Sequence, residues 1–178
     1  MRNLRILALS GSLRKASYNT ALINAVSKLA PSGVDVVVYK GLGYLPLFNP
    51  DREQESIPEI IRLREELRKA DGLLIASPEY AHGITGVLKN ALDWLVSGEE
   101  FVNMPVALFN ASPRATHAQA ALREVVTTMS GIIIEQACIS LPLLSSNLDA
   151  DGIVCHTTMA KQIMEAMDAL IAAIIDLP

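Results

Sequence analysis

Aromatic side chains are scarce in this 178-residue chain, only 4% of the total, so any core has to be assembled from aliphatic groups. These are plentiful, since 51% of the residues are hydrophobic and only 19% charged, a composition far from that of a disordered chain. Cysteine is scarcer still. Cys138 and Cys155 form no C-x-x-C pair and allow at most one bridge, which excludes a disulfide scaffold and leaves two small, inert side chains. Long apolar runs are missing too. The late stretch Ala169 to Ile175 falls well short of the ~20 residues of a membrane helix, so no membrane partner is expected. Near the start, Arg5 leaves only Ile6 to Leu9 before Ser10, below the roughly 7–15 residues of a signal-peptide core, and a cytoplasmic protein is expected. A net charge of −4 with no basic tract argues against nucleic acid as a partner.

Short aliphatic runs alternate with helical patterns along the chain. Arg5 to Ser10 breaks into a Ser/Gly turn, after which Leu22, Ile23, Val26 and Leu29 recur at helical spacing. Val34 to Tyr39 is the second run and leads into a long Gly- and Pro-containing loop. Ser56 stands three residues before Glu59 with Pro58 between them, a capping-box pattern that predicts a helix carrying Ile60, Leu63 and Leu67. Gly72 to Ala76 and Met104 to Asn110 are further runs, each followed by a helix, Val87 to Val96 and one bearing Ala118, Leu122 and Val126. Gly131 to Leu141 supplies a fifth strand, and Ile163, Met167, Leu170 and Ile174 mark a C-terminal helix. Unbroken aliphatic strands are buried on both faces, as in a parallel sheet between helix layers. The expectation is one doubly wound α/β domain, residues 1–178, of five strands. Such sheets bind ligands beyond the carboxyl ends of their strands, where the strand order reverses.

Three loops fall at that edge. Ser10 to Thr20 offers the hydroxyls of Ser10, Ser12, Ser17 and Thr20, the amide of Asn19, the guanidinium of Arg14 and the start of a helix. It has neither the G-x-G-x-x-G of a pyrophosphate site nor the G-x-x-x-x-G-K-[ST] of a nucleoside triphosphate site, so a single phosphate monoester fits it best. A plainer reading is a Ser-rich turn with Ser17 as helix cap and Arg14 in solvent. Ser77 to Gly86 is shaped by two glycines and a proline and can offer backbone N–H groups to a flat heterocycle, with Tyr80 or His82 against it. Its plainer reading makes Tyr80 a packing ring, His82 an exposed loop residue and Trp94, on the next helix, a core or interface anchor. Asn110 to His117 is the least decisive: Arg114 can reach a phosphate, a ring carbonyl or a partner subunit, or Ser112 simply caps a helix.

Other chemistries lack their residues. His82, His117 and His156 form no metal-binding motif. Asn147, Asp149, Asp151 and Gly152 resemble the start of a calcium loop, yet Thr158 stands where its bidentate Glu belongs, which leaves a turn. No G-x-S-x-G elbow or activated Cys is present.

Gly11-Ser12-Leu13-Arg14 with Ser17 and Asn19, then Pro78-Glu79-Tyr80, then Gly86 to Trp94 form a recognisable pattern. The chain resembles the flavodoxin-like NAD(P)H-dependent FMN reductases, the family of quinone, chromate and azo-compound reductases. The resemblance implies a flavodoxin-like five-stranded sheet of order 2-1-3-4-5. It implies FMN held by its phosphate at Ser10, Ser12, Arg14, Ser17, Asn19 and Thr20. Pro78, Glu79, Tyr80, His82 and Gly83 would then line the isoalloxazine, and Ser112 and Arg114 close the other side. NADPH or NADH is the implied donor, a quinone, flavin, metal ion or azo compound the acceptor, and a homodimer or homotetramer with a contact near Trp94 the assembly. The chain departs from the family pattern at Ala81 and Thr85, where Asn and Pro are usual, and at 113–117, usually glycine-rich. With such a cofactor the chemistry needs no protein acid or base, which agrees with the missing triads. The alternatives are a flavodoxin-like electron carrier without nicotinamide activity and a flavin-free interaction protein.

Overall fold

The computed structural model describes residues 3–177. Its centre is a parallel sheet of β1 (Leu4–Ser10), β2 (Val34–Tyr39), β3 (Gly72–Ala76) and β6 (Pro105–Asn110) in the order β2-β1-β3-β6. β4 (Glu79–Tyr80) and β5 (Gly83–Ile84) form a separate antiparallel hairpin. Strands β1, β3 and β6 alternate between two cores. Leu7, Leu9, Leu73, Ile75, Val106 and Leu108 face one, while Ile6, Ala8, Leu74, Ala76, Ala107 and Phe109 face the other. Burial on both sides is the reason these strands read as unbroken aliphatic runs.

Helices α2 (Pro58–Arg68), α3 (Gly86–Leu95) and α4 (Thr116–Thr128) cover the first core. The second is covered by α1 (Tyr18–Leu29), α5 (Ala150–Cys155) and α6 (Thr157–Asp176). Among the described residues, no helix is long and apolar enough to cross a membrane. Trp94 is buried, its indole N–H donating to the Pro46 carbonyl at 2.8 Å and its ring meeting Phe48 edge-on at 5.1 Å. It anchors the long loop after β2 inside this chain.

Three local expectations change. The run 131–141 is not one strand: β7 (Ile132–Ile133) and β8 (Ile139–Ser140) each pair with β6, separated by a tight turn at Glu135–Ala137. The polar pair Glu135-Gln136 cannot enter the sheet interior, so the chain steps out, and the Cys138 thiol accepts the Leu108 N–H at 3.4 Å in place of a ladder carbonyl. Burial pushes that thiol above its usual pKa. The capping box at Ser56 is absent, because α2 is entered through Ile57 with no side-chain cap and Pro58 supplies the helical φ. The C-terminal helix expected from Ile163, Met167, Leu170 and Ile174 is α6, capped by His156, but a further short helix, α5, capped by Asp149, precedes it where only a turn was expected. Asp149 accepts from Gly152 N at 2.8 Å, so the calcium-like residues form a capped turn.

Candidate functional site

The register places Ser10 beside Ala76 and Ala76 beside Phe109, so the loops after β1, β3 and β6 leave the sheet level with one another. The chain passes from β1 outward to β2 and returns on the other side as β3, which puts the reversal of strand order between β1 and β3. A cleft of about 320 Å³ opens there. It is lined by Arg14, Ser17, Tyr18 and Asn19 from the first loop, Pro78 to Tyr80 from the second, and Asn110 to Ser112, Arg114 and Ala115 from the third, with Leu144 at its rim.

The first loop is fixed by its own hydroxyls. Ser17 caps α1 by accepting from Thr20 N at 3.4 Å, and the Ser10 and Thr20 hydroxyls share a 2.7 Å hydrogen bond. Ser10 accepts from Ser12 N and Ser12 from Arg14 N, at 3.4 and 3.3 Å. Gly11 passes so close to the second loop that an added Cβ would lie 2.3 Å from the Ser77 hydroxyl. Asn19, buried, accepts from Ala111 N at 3.2 Å and so joins the first loop to the third. The N–H groups of Tyr18 and Asn19, in the first turn of α1, have no acceptor among the described residues. With the positive end of the helix dipole and the exposed Arg14, they make this end of the cleft a place for an anion.

The second loop is a tight hairpin. Ala81 and His82 both take the left-handed conformation, φ +49° and +58°, as a two-residue turn of this twist requires. Asn and Gly tolerate that conformation best, so this chain carries strain at Ala81. Glu79, largely buried, accepts from Ala118 N in the first turn of α4 at 2.8 Å, and its other oxygen lies 3.5 Å from His82 Nδ1. The His82 ring meets His117 edge-on at 4.4 Å. Thr85 caps α3 and its hydroxyl donates to the Gly11 carbonyl at 2.7 Å.

The third loop is braced by buried Asn110, which accepts from Ser112 N at 2.9 Å and donates to the Ala115 carbonyl at 3.5 Å. Ser112 accepts from Arg114 N at 3.3 Å and does not cap α4, whose entry residue is Ala115. Glu79 serves that helix end instead.

Of the residues singled out in the sequence, Arg14, Ser17, Asn19, Pro78, Glu79, Tyr80, Ser112 and Arg114 line the cleft together. Ser10, Ser12 and Thr20 lie round an adjoining groove that shares Arg14 with it. His82 and Gly83 sit on the hairpin outside both linings. Tyr18, Asn110, Ala111 and Ala115 lie in two of the loops singled out in the sequence but were given no site role there, and Leu144 lay outside all three. Asn110, at the end of an aliphatic strand, was the one available signal; Leu144, from a distant connection, offered none. The cleft is cationic and rich in N–H donors at the α1 end, and elsewhere Pro78, Tyr80, Ala111, Ala115 and Leu144 line it together with the polar Glu79, Asn110, Ser112 and Arg114. A flat heterocycle carrying one phosphate fits that division, FMN included.

Comparison with known proteins agrees. Residues 4–146 match the family described as NADPH-dependent FMN reductase. A NAD(P)H-dependent FMN reductase of Pseudomonas aeruginosa is 32% identical, with 94% of each chain covered. A 2-hydroxy-1,4-benzoquinone reductase of a Burkholderia species is 33% identical, with 97% of each covered. Among solved structures, a flavoenzyme NAD(P)H:acceptor oxidoreductase from Paracoccus denitrificans superposes with a TM-score of 0.85 at 26% identity, again covering 97% of both.

Proposed function

The chain belongs to the NADPH-dependent FMN reductase family, and from that premise we propose that it is an oxidoreductase carrying electrons from NADPH or NADH through FMN to a small acceptor. The observation that carries this reading is the cleft itself, in which Arg14 and the unpaired N–H groups of Tyr18 and Asn19 stand at one end of a mostly apolar slot. FMN, when bound, supplies the redox chemistry, taking up a hydride from the nicotinamide and giving electrons to a quinone, free flavin, metal ion or azo compound.

The residues of the chain bind and orient. Arg14, Ser17 and Asn19 hold the phosphate, with Ser10, Ser12 and Thr20 backing the loop through their mutual hydrogen bonds. Pro78, Glu79 and Tyr80 line the ring edge, followed by the hairpin of His82 and Gly83. Tyr80, 57% exposed, stands in the lining where it is open to solvent. Ser112 and Arg114 close the opposite side. Glu79 positions rather than reacts: its carboxylate ties the second loop to the start of α4, so the slot keeps its width. A homodimer or homotetramer and a cytoplasmic location belong to the same reading, the first checked by light scattering.

The test is an FMN titration followed by absorbance, with NADPH and NADH oxidation assayed in the presence of benzoquinone. Binding of one FMN per chain, parallel lines in a two-substrate analysis and an FMN dissociation constant raised at least tenfold in Arg14→Ala are expected. A protein that takes up no FMN, or that holds it yet oxidises neither nucleotide, overturns the proposal.

A further inference from the structure

Beside the cleft, on the β2 side of the first loop, lies a second groove of about 540 Å³. Arg14 lines both. The rim of the second groove adds Lys15 and Lys40, and its wall adds the amide of Asn24. Arg14, Lys15 and Lys40 are exposed, and among the described residues none has a carboxylate within ion-pair distance. Cations elsewhere on the molecule are mostly paired, Arg68 with Glu100 and Lys89 with Asp93 among them. In a chain of net charge −4, three unpaired cations gathered on one groove are a local reversal of sign. No acidic side chain lines that groove, among the described residues. Ser10, Ser12 and Thr20 share its lining, and the rest of it is apolar or aromatic, with Leu13, 65% exposed, beside Val38, Tyr39 and Leu42. The Asn24 amide makes no side-chain hydrogen bond among the described residues and is free to meet a ligand.

Unpaired cations beside an apolar floor, continuous with the cleft through Arg14, suit a nucleoside bearing an extra phosphate. The oxidoreductase reading, on which this step rests, brings one such molecule to the site. We propose that the groove receives the 2′-phosphorylated adenosine end of NADPH, and that Lys15 and Lys40 are the residues that select NADPH over NADH. NADH lacks the group those two ammonium ions would meet, whereas the 2′-phosphate is a dianion that both lysines face, with Arg14 already turned to the flavin phosphate. Neither lysine lines the flavin cleft, so both can be replaced without changing a residue assigned to the flavin phosphate.

Calorimetric titration of the FMN-loaded protein with 2′,5′-ADP, 5′-AMP and inorganic phosphate tests this directly. Binding of 2′,5′-ADP at least tenfold tighter than either other probe is expected. The double variant Lys15→Ala/Lys40→Ala should lose that difference and show KM for NADPH raised at least tenfold. Its KM for NADH, FMN content and thermal midpoint should stay within error of the parent. Equal binding of 2′,5′-ADP and 5′-AMP overturns the proposal, as does a double variant that keeps the preference. Inorganic phosphate binding as tightly as 2′,5′-ADP would reduce the groove to an adventitious ion site. Failure to take up FMN is a different result: it sinks the family-based reading, while the same titration on the flavin-free protein still decides the groove.

Discussion

The hydroxyl of Thr85 donates to the carbonyl of Gly11 across 2.7 Å, in a buried contact that joins the second loop to the first while the same oxygen caps α3. A proline at this position, usual in relatives by the pattern described above, would pre-set the backbone but make neither bond. Here one side chain sets the spacing of two walls of the cleft.

Thr85→Val keeps the shape and removes both hydrogen bonds. It is expected to cost about 1–3 kcal/mol, by leaving a buried carbonyl and a helix N–H unsatisfied. Urea denaturation measures that loss, and FMN affinity should fall with it. Thr85→Ser should recover most of both, because the hydroxyl is the working group.

Ala81 occupies the left-handed region at φ +49°, where a side chain crowds the following carbonyl. Ala81→Gly or Ala81→Asn is expected to stabilise the fold by about 1 kcal/mol, a rise of roughly 2–4 °C in melting temperature for a chain of this size. Ala81→Val, with a β-branched side chain at the same φ, should lower it. Equal melting temperatures for all three would show that the hairpin relaxes without strain.

Asn19 accepts the Ala111 N–H in a buried setting, so Asn19→Ala strands that donor. A loss of about 1–3 kcal/mol follows. The third loop is then released from α1, and hydrogen exchange at Ala111 and Ser112 should speed up while the sheet amides stay protected. An unchanged exchange rate at Ala111 would mean that the loop is held by Asn110 alone.

Glu66 joins Lys69 and the Arg5 guanidinium of β1, and these partners, the Lys69 hydrogen bond first, hold its carboxyl below the usual value. A lowered folded value stabilises the native state at pH above the ordinary carboxylate pKa of 4.5, and that stability is lost as pH falls through the folded value. Glu66→Gln should therefore melt below the parent at pH 7, and the gap should close on acidification below pH 4.5. A gap that persists in acid would assign the effect to packing rather than charge.

The residues after each strand were legible early because a parallel sheet leaves few choices. Ser10, Ser77 and Asn110 each end an aliphatic run, and a polar residue there has to lie at the carboxyl edge. Ser17 as a cap, with Arg14 ahead of it, was likewise readable from one turn of chain. The roles of Glu79 and Thr85 were not. Both act on partners far along the chain, Ala118 and Gly11, and no local spacing encodes such a pair. The break at Glu135-Gln136 was hidden for a related reason, since the hydrophobic letters on either side continue as though one strand ran through.

Periodicity determined the alternation of strands and helices and the two-faced burial of the sheet, and the residue types of the first loop pointed to an anion site, because all of these depend on neighbours within a turn or two. Tertiary structure decided which loops share the cleft, that His82 rests on His117 and outside it, and that Lys15 and Lys40 meet in one groove. Strand register fixes those contacts, and register is a property of the packed sheet as a whole: shifting one strand by a residue would reverse every side chain on it and separate the loops that now meet.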